Sequence, residues 1–141
     1  MRRTLPPLLL ALVVLAACGG PDDAADDGVT GATALEIAVW PAGEGEGIAV
    51  TATLTCDPAG GDLPDPAAAC TALAGDGAAA LAPVVADAIC SELYGGREEA
   101  RITGTLDGVS VAATLSRVNG CEIDRWERLL PLLPTYEPVP L

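Results

Sequence analysis

The chain has 141 residues, half of them hydrophobic but only 3% aromatic and with no Phe, so it can build one small core and no more. Its formal charge is −13 and it has no Lys, a balance that repels nucleic acid and excludes a basic patch as the means of holding an anionic lipid surface. There is no His, no Gly-rich phosphate loop and no spaced carboxylate pair, so an enzyme is the least expected class and neither a cofactor nor a metal site is expected.

The chain begins with Arg2 and Arg3, the apolar run Leu8 to Val14, and then Leu15-Ala16-Ala17-Cys18. A basic start, a short apolar stretch and a small-residue cleavage site make an export signal, and the run falls short of the roughly 20 residues that span a bilayer. Leu-Ala-Ala-Cys resembles the lipobox of bacterial lipoproteins. That resemblance implies that residues 1–17 are removed, that Cys18 is lipidated as the new N-terminus, and that the protein is anchored to the outer face of the cell membrane. The processed chain keeps five Arg against twenty Asp and Glu. Residues 18–33 are small, acidic and Gly-containing, and read as a flexible tether.

Leu35 to Trp40 alternates and predicts a first strand; Ile48 to Cys56 alternates more clearly and predicts a second. A turn-rich piece, 57–66, leads to a helix over Ala67 to Ala74, with Asp65 as its cap and Pro66 in its first turn. Gly75 to Gly77 should stop it. Ala78 to Ala88 reads as a weaker helical or irregular segment, and Ser91 to Gly96 as an exposed loop. Ala100 to Leu106 and Val109 to Val118 alternate around Asp107-Gly108, a hairpin signal. Leu129 to Leu133, with Pro131 inside it, is expected as a last edge strand. Residues 134–141 form a C-terminal tail. The sum is an α+β domain over residues 34–133, dominated by strands.

With Cys18 set aside, Cys56, Cys70, Cys90 and Cys121 remain, an even number in an exported chain, and read as two disulfides. Four cysteines allow three pairings, and spacing alone does not choose among them. Chain order favours Cys56 with Cys70 and Cys90 with Cys121 as the local closures. Each closure is worth about 3–4 kcal/mol in the loop-entropy account.

Around these cysteines stand Leu54-Thr55-Cys56, Pro58-Ala59-Gly60-Gly61, Leu63-Pro64, Ala69-Cys70-Thr71-Ala72-Leu73, Tyr94, Gly104, Gly108 and Asn119-Gly120-Cys121-Glu122. In this combination the chain resembles the Streptomyces subtilisin inhibitor-like proteins from about residue 35 to 133. The resemblance implies an antiparallel sheet of about five strands with two short helices on one face, and the same two disulfides. It also implies a serine protease inhibitor whose rigid loop is offered as a substrate and cut slowly. The reactive loop would be Cys90, Ser91, Glu92, Leu93 and Tyr94, with Cys90 at P3, Ser91 at P2, Glu92 at P1 and the scissile bond between Glu92 and Leu93. Asn119 would brace the loop from beneath.

A carboxylate at P1 would be buried unpaired in an apolar S1 pocket and repelled by an acidic one. The expected partner is therefore an extracellular serine endopeptidase, subtilisin-like or glutamyl-specific, whose S1 site accepts an acid. Family members resemble dimers through the sheet face, which adds a homodimer to the expectations. The chain departs from the family's pattern in three places: Ser91 stands where a stiff P2 residue is usual, Gly95-Gly96-Arg97 follows Tyr94, and Leu106 replaces a hairpin Trp. Two successive glycines predict a loosened primed side. The alternative they raise is a non-inhibitory cell-surface lipoprotein that keeps the fold as a binding or structural module.

Overall fold

The computed structural model describes residues 31–137 and 139; the expected signal peptide, Cys18, most of the expected tether and the end of the tail lie outside the described residues. Five antiparallel strands make one sheet: β1 (Thr33–Trp40), β2 (Val50–Cys56), the two-residue β3 (Gly60–Gly61), β4 (Glu99–Leu106) and β5 (Val109–Leu115), in the order β3-β2-β1-β4-β5. Alternation in the strands sets which face is buried. Leu35, Ile37 and Val39 of β1 point inward, and the register sets Leu35 beside Leu54 and Ile37 between Ala52 and Ile102. Ala113 and Leu115 of β5 extend the same face, while Glu36, Thr53 and Arg101 lie on the other. The hairpin from β4 to β5 turns at Asp107 and Gly108, both at positive φ, the geometry that matches the twist of paired strands.

The helices cover the inward face. α1 (Pro66–Ala72) begins as the sequence indicates: the Asp65 carboxylate accepts from the Ala68 amide at 2.9 Å, and Pro66 occupies the first turn, where its missing N–H has no partner to lose. Gly75 breaks the helical backbone, but the chain resumes for one turn as α2 (Ala78–Ala80), which sets Ala80 into the core. From Leu81 to Glu98 there is no helix or strand.

α3 (Gly120–Arg128) is the element that strand-by-strand reading misses. Its signals are present: Asn119 as cap with Glu122 three residues on, Arg125 and Arg128 in the last turn, and Trp126, Leu129 and Leu132 at intervals of three. The same spacing overturns the edge strand expected at 129–133. Leu129 closes α3, and Leu130–Leu132 form a turn of 3-10 helix that packs on α1, with Leu129, Leu132 and Leu133 buried. Pro131 suits the opening turn of such a helix as well as it suits a strand edge.

The two cross-links are Cys56–Cys70, joining the end of β2 to α1, and Cys90–Cys121, joining the long connection to the start of α3, with Cα separations of 5.9 and 5.3 Å. Arg125 is the one ionised side chain among the described residues that is fully taken into the interior. Its guanidinium donates to the carbonyls of Ala80 (3.0 Å), Leu81 (3.5 Å) and Thr114 (3.3 Å) and pairs with the Glu122 carboxylate at 2.7 Å. One charge thereby ties α2, β5 and α3 together at the point where the long connection leaves the body.

Candidate functional site

The connection from Leu81 to Glu98 carries its most exposed residues at its centre. Ser91, Glu92, Leu93 and Tyr94 are all exposed, with Leu93 at 64% and Tyr94 at 59%, and Ile89, just before Cys90, is fully exposed. Large apolar side chains left in water at one place mark a contact surface. Ile89 belongs to that surface, although the sequence reading began the loop at Cys90; the clue was an isolated Ile in a run of Ala and Asp that could not bury it.

The segment is gripped at its ends. Upstream, Cys90 is bonded to Cys121, the second residue of α3, and the Gly120 amide donates to the Ser91 carbonyl at 3.0 Å. Downstream, the Gly95 amide donates to the Arg117 carbonyl at 2.7 Å. Glu92, Leu93 and Tyr94 span the gap between these two anchors. An open groove of about 560 Å³, lined in part by Val84, Ile89, Leu93 and Ile123, runs behind them, so the loop is fixed by its ends and not by packing along its length.

The glycines of this region tighten it. A Cβ on Gly95 would lie 3.0 Å from Ile123 Cγ1 and 3.2 Å from Arg117 Nε, closer than ordinary packing allows. Gly96 is buried, its φ of +145° is one that side chains disfavour, and a Cβ there would overlap the Glu98 carboxylate. Both glycines thus lie against side chains of the body, Gly95 with its amide held by the Arg117 carbonyl and Gly96 at a φ that favours glycine. Asn119 does not reach the loop by the hydrogen bond its side chain makes, which is accepted from the Glu122 amide at 3.0 Å. It caps α3, and the helix in turn presents Gly120 and Cys121 to the loop.

The arrangement offers an exposed peptide bond between two fixed points, with no nucleophile and base placed together. Among the described residues no group of three or more His, Cys, Asp or Glu is set to hold a metal, and no helix is long and apolar enough to cross a membrane.

Comparison with protein families matches residues 31–119 to the subtilisin inhibitor-like family, which is well over half of the chain. The chain belongs to that family. The matched span includes all five strands, the whole of the exposed loop and its downstream anchor at Arg117, and ends just before Gly120 and Cys121 of the upstream anchor. Among solved structures the chain is similar to Streptomyces caespitosus sermetstatin, solved in complex with Bacillus licheniformis subtilisin, at 26% identity over 72% of this chain and 97% of that one, with a TM-score of 0.48. Comparison with curated protein sequences gave no match.

Proposed function

We propose that this protein inhibits a serine endopeptidase by presenting residues 90–94 as a slowly cut substrate, with Glu92 at P1 and Glu92–Leu93 as the scissile bond. The observation that carries the reading, in a member of the subtilisin inhibitor-like family, is the bracketing of that bond by the Ser91–Gly120 and Gly95–Arg117 hydrogen bonds and the Cys90–Cys121 disulfide. A loop already held in one shape loses little conformational entropy on binding, which raises affinity without added contacts. Once cut, the two new ends stay tethered on opposite sides of the break, so the leaving amine remains where it can reseal the bond.

Specificity follows from P1, which fills the most enclosed pocket of such an interface. Glu92 directs the loop to an enzyme whose S1 site carries a cation or strong hydrogen-bond donors, as in a glutamyl-specific endopeptidase. The protein is further proposed to act at the outer face of the membrane, held by acyl chains on Cys18 after loss of residues 1–17, with residues 18–33 as the tether. Homodimerisation is proposed through the outward sheet face, where Trp40 lies against Arg101 at 5.6 Å.

Titration of the lipid-free protein, residues 18–141 with both disulfides formed, against serine endopeptidases of acidic, basic and apolar S1 preference tests the loop. Inhibition of the acid-accepting enzyme with slow cleavage after Glu92 is expected, and Glu92→Lys should transfer inhibition to a basic-preferring enzyme. Rapid, complete cleavage with no inhibition by wild type or by any Glu92 variant would establish the non-inhibitory binding module instead. For the anchor, Cys18→Ala should leave the membrane fraction or go unprocessed; retention there at wild-type levels overturns it.

A further inference from the structure

Beneath the downstream half of the loop lies a charged pair that the fold alone does not require. Arg117 Nη1 meets Glu98 Oε1 at 3.1 Å, with the two side chains 28% and 12% exposed. Arg117 follows β5 by two residues and Glu98 precedes β4 by one, so the pair closes the open end of the hairpin. It also faces the loop. The backbone carbonyl of Arg117 receives the Gly95 amide, and its Nε lies 3.2 Å from where a Cβ on Gly95 would stand. The Glu98 carboxylate fills the space over buried Gly96.

We infer that Glu98 and Arg117 are positioning residues for the leaving side of the loop. The inference rests on the loop reading above and deepens it. Pressing Glu98 over Gly96 and Arg117 under Gly95 holds residues 95–96 against the body, which keeps Leu93 and its new amine in place after the bond is cut. It sets the Glu98 and Arg117 side chains against the two glycines that follow Tyr94.

Amide hydrogen exchange on the disulfide-bonded, lipid-free protein (residues 18–141) reads this directly. Glu98→Ala should speed exchange of the Gly95 amide at least tenfold while the ladder amides of β1 are unchanged, and Glu98→Gln, which keeps an acceptor for Arg117, should recover most of the protection. In the inhibition assay Glu98→Ala should raise the rate of cleavage at Glu92–Leu93 by a similar factor. Unchanged Gly95 exchange in Glu98→Ala, or loss of protection in step with β1, overturns the positioning role. If wild type is cut rapidly while Gly95 exchange still depends on Glu98, the inhibitory reading falls and the positioning role stands, because the exchange measurement involves no protease.

Discussion

Gly120 and Ser91 are fitted to each other at the base of the loop. The Gly120 amide donates to the Ser91 carbonyl at 3.0 Å, and the Ser91 hydroxyl occupies the space that a Cβ on Gly120 would need. The first residue of α3 thus serves at once as helix start and as support for Ser91, the residue proposed as P2. Ser91 is not itself a stiff residue, and in that proposal the contact with Gly120 supplies part of the restraint.

Gly120→Ala is expected to uncouple folding from loop geometry. Alanine favours the helix by about 0.5–1 kcal/mol over glycine, so the denaturation midpoint should hold or rise slightly. The added methyl must displace the Ser91 side chain, and the inhibition constant should rise by about tenfold. Parallel denaturation and inhibition titrations check both directions.

Replacing Cys90 and Cys121 together by Ala should cost about 3–4 kcal/mol of stability, from the 31-residue separation they close, and should also convert slow cleavage of the loop into fast cleavage. Replacing Cys56 and Cys70 should cost about 3 kcal/mol, from a separation of 14, and leave the cleavage rate of folded protein near wild type. Urea melts and time courses of loop cutting separate the two bridges.

Arg125→Ala should be the most damaging single substitution among the charged residues described, at about 3–5 kcal/mol, because it strands the partly buried Glu122 carboxylate and the carbonyls of Ala80, Leu81 and Thr114. Exposed Arg128, paired with Asp124 at 2.7 Å, should cost under about 1 kcal/mol when changed to Ala. Chemical denaturation of both variants gives the comparison.

Tyr136 predicts an alkaline limit. Its pKa is raised in the folded protein by burial and by Glu98, against the opposing effect of Arg117. A raised folded value means that the native state keeps its proton longer than the unfolded chain does. Stability is therefore unaffected below the ordinary tyrosine value of about 10 and falls as pH climbs above it toward the folded value. Tyr136→Phe should flatten that fall, as read from denaturation midpoints between pH 8 and 11.

Much of the framework was legible in the sequence because it rests on local chemistry. The period-two pattern of Leu35 to Trp40 and of Val50 to Cys56 specifies which face of each strand is wet, Asp107-Gly108 specifies a tight turn, and Asp65-Pro66 specifies a helix start; all hold with little regard to their surroundings. The Leu129–Leu133 run was misread because a short apolar stretch around a proline fits a strand edge and a 3-10 turn equally well. Its spacing from Trp126 supported the turn, and packing against α1 is what decided it.

The sequence by itself determined the alternating strands, the hairpin, the capped first helix and, through the cysteine frame, the position of an exposed loop, because each depends on neighbours within a few residues. Only the tertiary structure decided what that loop rests on. Gly120 meets Ser91 across 29 positions and Arg117 meets Gly95 across 22. Glu98 joins Arg117 across 19 and Arg125 reaches Ala80 across 45. Contacts at such separations leave no periodic trace in the chain, and a glycine forced by close approach is spelled the same way as a glycine that confers freedom. What Gly95 and Gly96 stand beside, the backbone carbonyl of Arg117 and the carboxylate of Glu98, is likewise visible only in the folded chain.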